Sequence, residues 1–385
     1  MKYSANIHTL SPSVTLRLAA QAKEMARAGR DVISLSTGQP DFPTPAPIRE
    51  AAAKAISAGK TGYTASSGIR ELREAVASSY SRRRGLGWTP DQVVVSCGAK
   101  YGIAILVASA INPGDKVLIP RPYWVSYPEI VRAFGGVPVV PAEGITTDTL
   151  LGAASDGAVG VILNYPSNPS GYVPSSAEMS DLADAIAETD MWIISDDIYE
   201  DLTYLDSGTP HLLDFRPELK ERVAVVSGVS KTYSMTGWRI GYCLCSDEWA
   251  GLAGVFQAHT TSNPCSISQW AALAAVEGRA EKERRKMFET LRGRRDMICS
   301  LLAEEKFLEY DKPDGAFYVF ARIVSDSALD SAEFCSELLE EEGLAIIPGS
   351  SFGAEGFVRI SFAAGEEDIR EGLRRLGRFL HRRYD

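Results

Sequence analysis

SGVSKTYSMTGWRIG, residues 227–241, sets one lysine, Lys231, behind the apolar run Val223–Val226 and a turn of small residues, with Arg239 eight positions further on. A short apolar run bounded by turn residues reads as a buried strand, so Lys231 leaves a strand end where an amine and a guanidinium can converge on one ligand. A lysine amine attacks a carbonyl carbon only after shedding its proton, which burial and neighbouring cations favour. Arginine forks onto two phosphate oxygens in a way lysine cannot. Together the two side chains suit a carbonyl compound that carries a phosphate. A lysine taken at random is a solvated surface residue, so the reading depends on what the rest of the chain brings to Lys231.

The same kind of run recurs at Gln92–Ser96, Lys116–Ile119, Val137–Val140, Val159–Leu163 and Met191–Ile194. Runs apolar on both faces predict a sheet covered on both sides. Helical patterns such as Tyr101–Ile111 and Ala177–Thr189 lie between them, and the resulting strand–helix–strand order predicts an α/β domain with a mainly parallel sheet covered by helices. From Ser266 to Glu305 the pattern turns helical and charge-rich, and Ala316–Ala321 and Phe357–Phe362 then read as strands among helices. That predicts a smaller α+β domain. The expected division is a large domain over 46–280 and a small one made of 1–45 with 281–385, the N-terminal forty residues returning to pack on the latter.

A chain of 385 residues with 45% apolar content is long for one core and fits two domains. A net charge of −10 argues against a nucleic-acid or anionic-membrane surface, and basic clusters such as Arg82–Arg84 sit beside acids as solvated helix faces. No apolar stretch approaches the roughly 18 residues of a membrane span, and the N-terminus MKYSANIHTL lacks the apolar core of a signal peptide. A cytoplasmic protein is expected. The six cysteines form no C-x-x-C pair, and alternation puts Cys243 and Cys245 on one face of a strand-like run, as reduced buried thiols. The four histidines have no metal-ligand spacing, and neither G-x-G-x-x-G nor the G-x-x-x-x-G-K-[ST] phosphate loop occurs.

Ligands of open α/β sheets gather beyond the carboxyl ends of the strands, and several strand ends here carry suggestive residues. Ser96-Cys97-Gly98-Ala99-Lys100 is a glycine turn opening a helix, whose backbone N–H groups suit phosphate. Trp124, in PRPYWVSYP, offers a flat face to an aromatic ring or packs in the core. Asn168, in Asn164-Tyr-Pro-Ser-Asn168-Pro-Ser-Gly171, is held by turn formers where its amide can donate to a ligand oxygen. Asp196-Asp197-Ile-Tyr199 puts carboxylates at a strand end without the histidines a metal site would bring. Arg359 interrupts an apolar strand, so its guanidinium needs an anion, either an internal carboxylate or a ligand. Gly349-Ser-Ser351-Phe-Gly353 satisfies the G-x-S-x-G of hydrolase elbows, but a strand rather than a helix follows, and His381 in a basic tail is the sole later histidine.

Ser230-Lys231-x-x-x-Met235-x-Gly237-x-Arg239, taken in order with Gly38-Gln-Pro-Asp-Phe42, Thr61-Gly-Tyr63, Asn168-Pro-Ser-Gly171, Asp196-x-x-Tyr199, Pro348-Gly-x-x-Phe-Gly353 and Arg359, resembles the class I/II pyridoxal-phosphate aminotransferases of fold type I. PYWVSYPE and MTGWRIGY are most similar to the bacterial-type aspartate aminotransferase branch. The resemblance implies that Lys231 holds pyridoxal 5'-phosphate as a Schiff base and later shuttles a proton, while Asp196 pairs with the pyridine nitrogen and Asn168 and Tyr199 reach the phenolic oxygen. It further implies that Trp124 stacks on the ring, that Gly98, Ala99, Lys100 and Arg239 anchor the phosphate with Ser230, and that Tyr63 of the partner subunit joins them across a homodimer. Gly38, Trp124, Asn168 and Arg359 would contact substrate, Arg359 through its α-carboxylate. Ser170 stands in the place of the family's threonine, and Gly228 where many relatives have a phosphate-binding serine. The implied activity is ping-pong transfer of an amino group from an L-amino acid to a 2-oxo acid, with aspartate or glutamate as donor; aromatic, alanine or prephenate specificity and a lyase on the same scaffold are the alternatives. Trp249–Trp270, where a partner-supplied arginine for a distal carboxylate is expected, holds no Lys or Arg.

Overall fold

The computed structural model describes residues 3–11, 14–142, 144–324 and 330–385; the parts of the expected domain spans at 1–2, 12–13, 143 and 325–329 lie outside the described residues. Seven strands form the large sheet in the spatial order Val93–Ser96, Gly241–Leu244, Val223–Gly228, Trp192–Asp196, Ala158–Asn164, Lys116–Leu118 and Val137–Val139. All neighbours run parallel except Gly241–Leu244, which is antiparallel to both of its partners.

Alternation along each strand divides the apolar residues between two cores. Val93, Val95, Ile193, Val223 and Val225 face one cluster, shared with the helices Arg70–Arg84, Ser176–Ala187 and Ser266–Val276. Val94, Ile194, Ala224, Val226 and Cys243 face the other, under Ala99–Ala110 and Asp247–Thr260. Period-two side chains with apolar residues at every position leave no face for water, which is why helices cover both sides. Cys243 and Cys245 share the second cluster as free thiols. The expectation of two-sided cover fails at Val137–Val139. This strand lies at the sheet edge with Val137 47% exposed, and Pro138, which lacks an N–H to donate, belongs on an edge.

The remaining elements build a second core. Its antiparallel sheet runs Ile347–Pro348, Phe357–Ser361, Tyr318–Ile323, Leu308–Tyr310. Around it pack Val14–Arg27, Glu281–Leu302, Ser331–Glu342 and Glu366–Tyr384, with Leu18, Ala22 and Leu35 of the N-terminal part inside the cluster. The charge-rich stretch after Ser266 is a pair of helices, Ser266–Val276 and Glu281–Leu302. The apolar run Leu344–Ile347 does not form one strand. Leu344–Ala345 pairs in parallel with Ile33–Ser34, and Ile347–Pro348 turns to Phe357–Ser361. Ile198, Tyr199, Leu202 and Tyr204, which follow the strand of Asp196, belong to this second core. The segment carrying Asp196 and Tyr199 is thus held by both bodies.

Candidate active site

A cavity of about 760 Å³ lies beyond the carboxyl ends of the large-sheet strands and is lined by Lys231, Asp196, Asn168, Tyr199, Arg239 and Arg359. Of the other residues singled out in the sequence, Gly38, Ala99, Lys100, Trp124 and Ser230 also line it, whereas Gly98 and Tyr63 do not.

Lys231 follows the strand Val223–Gly228, and its Nζ donates to the Gly38 carbonyl at 2.6 Å. Burial, then the charges of Arg359 and Arg239, lower its pKa from 10.5 to about 8, with Asp196 opposing. A useful fraction of the amine is therefore unprotonated close to neutral pH, which a nucleophilic or basic lysine requires.

Arg359, in the strand Phe357–Ser361, is 5% exposed. Its Nη1 donates to Asn168 Oδ1 at 2.8 Å and its Nη2 to the Ser36 carbonyl at 2.9 Å, while Nε is buried without a partner. The guanidinium lies over the Tyr318 ring, 4.2 Å from its centroid, and burial lowers its pKa. Both of its hydrogen bonds go to neutral acceptors, so the internal ion pair left open by the sequence is not its partner among the described residues. Because arginine only donates, Asn168 must present Oδ1 to it and keep its amide N–H₂ for something else.

Asn164 ties two strand ends together. Its Oδ1 accepts from the Asn168 N–H at 2.9 Å, and its Nδ2 donates to the Asp196 carbonyl at 2.8 Å. Asp196 is 4% exposed; Oδ2 accepts from the Tyr127 hydroxyl at 2.7 Å and Oδ1 from the Ile198 N–H at 3.2 Å. Burial raises its pKa from 3.8 to about 6, with those two bonds and Lys231 opposing. The carboxylate is ionised at neutral pH yet poorly solvated, so a cationic N–H would suit it. Tyr199 and Tyr318 share a hydroxyl–hydroxyl bond of 2.8 Å, and burial pushes the Tyr199 phenol well up.

Arg239 closes the other end. Gly98 caps the helix Ala99–Ala110 at φ 90°, and a Cβ there would lie 2.4 Å from the Arg239 guanidinium. Arg239 donates to the carbonyls of Thr236 at 3.0 Å and Cys97 at 3.3 Å, beside the free N–H groups of the helix start. The Lys100 ammonium instead sits 4.8 Å above the Trp124 ring, its pKa lowered by burial and by Arg239. Tyr63 is 94% exposed. Ser351 Oγ is buried without a hydrogen-bond partner and His381 binds Asp385 at 2.6 Å, so no nucleophile–base pair forms at the G-x-S-x-G sequence. No cluster of metal-ligating residues occurs among the described residues.

Sequence reasoning missed Tyr127, Asn164, Ser36 and Tyr318. Tyr127 had a usable signal, three residues after Trp124 at helical spacing, and the two rings meet edge-on at 5.3 Å. Ser36 and Tyr318 had none, since their roles arise from contacts across 323 and 119 residues.

The fold and the lysine-centred cavity define a scaffold whose side chains suit a phosphorylated carbonyl compound. Residues 30–376 match the family described as aminotransferase class I and II, and the chain belongs to it, within the aspartate aminotransferase branch of the pyridoxal-phosphate enzymes of fold type I. It is 40% identical to an aspartate/prephenate aminotransferase of Cereibacter sphaeroides over 98% of each chain, and 39% identical to an aspartate aminotransferase of Bacillus subtilis over 99% of this chain and 100% of that one. Among solved structures it is similar to aspartate aminotransferases from Rhizobium meliloti (TM-score 0.94, 35% identity, 99% of both chains) and from Thermus thermophilus with maleate (TM-score 0.93, 35% identity, 98% of this chain and 100% of that one). The side chains present fit the family's cofactor: an amine near its deprotonation range, an under-solvated carboxylate, and a guanidinium against a glycine at a helix start.

Proposed function

We propose that the protein transfers the amino group of an L-amino acid, aspartate or glutamate by preference, to a 2-oxo acid in a ping-pong cycle, as a homodimer with pyridoxal phosphate in each cavity. Arg359 is the observation that carries the reading. A buried guanidinium without a carboxylate partner is costly to fold around, and it faces the cavity that holds Lys231. A substrate α-carboxylate supplies the missing anion through a two-pronged bond.

Arg239 and the N–H groups after Gly98 would hold the phosphate, Asp196 the ring nitrogen, and Asn168 and Tyr199 the phenolic oxygen, with Trp124 against the ring. Bound there, pyridoxal phosphate supplies an aldehyde for the amino group and a ring that withdraws electrons from the substrate Cα. Lys231 Nζ, with its lowered pKa, takes the proton from that Cα as general base and returns a proton as general acid. Asn168, pinned by Arg359 and Asn164, couples the carboxylate grip to the position of the cofactor ring.

Lys100 supports the dicarboxylate preference. Its ammonium is drawn onto Trp124 and has no carboxylate partner among the described residues, so it is free to meet a distal carboxylate for which 249–270 holds no Lys or Arg. Lys100→Ala is expected to raise KM for aspartate by about 10- to 100-fold with little change for alanine, the loss of one charge-assisted bond. The deciding experiment follows the cofactor absorbance during a panel of donors, on the wild type and on Lys231→Ala. The expected result is conversion by aspartate or glutamate, reversal by a 2-oxo acid, and neither in the variant. Turnover that persists in Lys231→Ala, or release of ammonia without an acceptor, removes the proposal.

A further inference from the structure

Behind Asp196, on the side away from the cavity, four buried polar atoms lack hydrogen-bond partners among the described residues: Arg84 Nε, Asp197 Oδ2, Thr209 Oγ1 and His211 Nε2. All four residues line one small void of about 10 Å³. A void of about that size holds a single water, provided two to four polar groups surround it.

Neighbours fix the hydrogen-bond roles of Arg84 Nε and His211 Nε2 as donors. Arg84, expected from the sequence on a solvated helix face, is instead buried with its side chain 5% exposed; its terminal nitrogens are engaged by Glu200 and by Asp214 at 2.8 Å, which leaves Nε–H as its spare donor. His211 Nδ1 accepts from the Leu213 N–H at 3.1 Å, and burial keeps the ring neutral, so the proton sits on Nε2. Asp197 Oδ1 accepts from the Ser195 hydroxyl at 2.7 Å, leaving Oδ2 unpaired 3.5 Å from His211 Nε2; burial, then Glu200, push the Asp197 pKa up while Arg84 and the Ser195 hydroxyl oppose, and the N–H groups of Arg84 and His211 suit Oδ2 as an acceptor. One water placed among them would accept from Arg84 Nε–H and His211 Nε2–H and donate to Asp197 Oδ2 and Thr209 Oγ1. Two bonds in and two out are its full complement. Left unpaired, each of these groups would forfeit the hydrogen bonds it makes with water in the unfolded chain.

We propose that this void holds one resident water, and that Asp197, gripped through it by Arg84, Thr209 and His211, is a positioning residue for Asp196 and Tyr199. The second half rests on the aminotransferase reading. Asp196 and Asp197 are consecutive at the strand end, one lining the cavity and the other the void. The Asp197 N–H is bonded to Val226 of the next strand at 2.8 Å, and the Glu200 N–H to the Asp197 carbonyl at 2.9 Å. Anchoring the Asp197 carboxylate from behind therefore fixes the turn that aims Asp196 and Tyr199 forward.

A crystal structure of the holoenzyme tests the water directly. The expected result is one density peak about 2.7–3.2 Å from all four atoms; an empty void, or His211 bonded straight to Asp197, overturns the site, whatever reaction the enzyme performs. His211→Leu and His211→Gln test the positioning role. The leucine variant is expected to shift the pH midpoint of the bound cofactor's absorbance and to lower kcat by about 10- to 100-fold with donor KM within about twofold, as a misplaced group does, while glutamine, which keeps a donor, restores both. A leucine variant that only melts earlier, with a wild-type cofactor titration, shows a merely structural water and overturns the role. Thr209→Val, which removes one partner at nearly constant volume, gives the same readout should the leucine variant fail to fold.

Discussion

Lys231, Arg359 and Asp196 are three charged side chains driven out of water, and the tertiary surroundings set a different consequence for each. In the apoenzyme the Lys231 amine is expected to react with an aldehyde or acylating reagent with a pH midpoint near its pKa of about 8 rather than 10.5. The sign follows from burial and neighbouring cations disfavouring the ammonium; the rate, read by mass spectrometry of peptide 227–241, rises through that midpoint and levels above it. Asp196 carries the opposite shift for a carboxylate, from 3.8 to about 6. Above the folded value it is ionised in both states and folding bears the whole cost of desolvation; below the unfolded value it bears none. The Asp196 contribution to wild-type stability therefore falls as pH rises from 3.8 to about 6. Apo Asp196→Asn is expected to be more stable at pH 7 by roughly 2–3 kcal/mol, at about 1.4 kcal/mol per pKa unit, and no more stable near pH 4. Urea unfolding at the two pH values checks this, and an equal gap at both would refute it. The residue types were legible in the sequence, but that Arg359 has neutral acceptors alone was not, because Asn168 and Ser36 lie 191 and 323 residues away.

At the scale of elements, the site depends on strand ends that leave room for one another. Gly98 is needed twice, for its φ of 90° and for the bare Cα against Arg239. Gly98→Ala is expected to weaken cofactor binding at least about tenfold, because the guanidinium must move off the helix start that shares the phosphate. Equilibrium dialysis of the cofactor measures it, with inorganic phosphate expected to lose affinity in parallel. Six apolar runs in the sequence correspond to six strands of the large sheet, since continuous apolar runs of this length have few other ways to satisfy their backbones. The short pairings were less legible. Ile33–Ser34 with Leu344–Ala345 is two residues long, and no periodicity can be read from two residues. The exposed edge at Val137 escaped for a related reason: Pro138 marked the edge more reliably than the apolar run marked burial.

On the scale of the whole molecule, one chain does not account for every residue that the sequence assigned to the site. Tyr63 stands 94% exposed, outside the cavity of its own chain. A homodimer in which Tyr63 serves the partner's cofactor explains both facts, and sedimentation is expected to give twice the 41.7 kDa chain mass. Tyr63→Ala is then expected to weaken cofactor binding by about tenfold, the loss of one charge-assisted bond, with Lys231 reactivity unchanged in a chain held monomeric by dilution. A monomeric holoenzyme of full activity would refute the shared site. The sequence by itself determined the α/β order, the strand ends that carry Lys231, Asp196, Asn168 and Arg239, and the family, because apolar periodicity and ordered short motifs are local properties of a chain. Only the tertiary structure decided that Arg359 meets no counter-ion among the described residues, that Tyr127 and Asn164 hold Asp196, and that four orphaned polar atoms converge behind it. Desolvation and hydrogen-bond satisfaction depend on everything that packs around a group, and no window of sequence contains that.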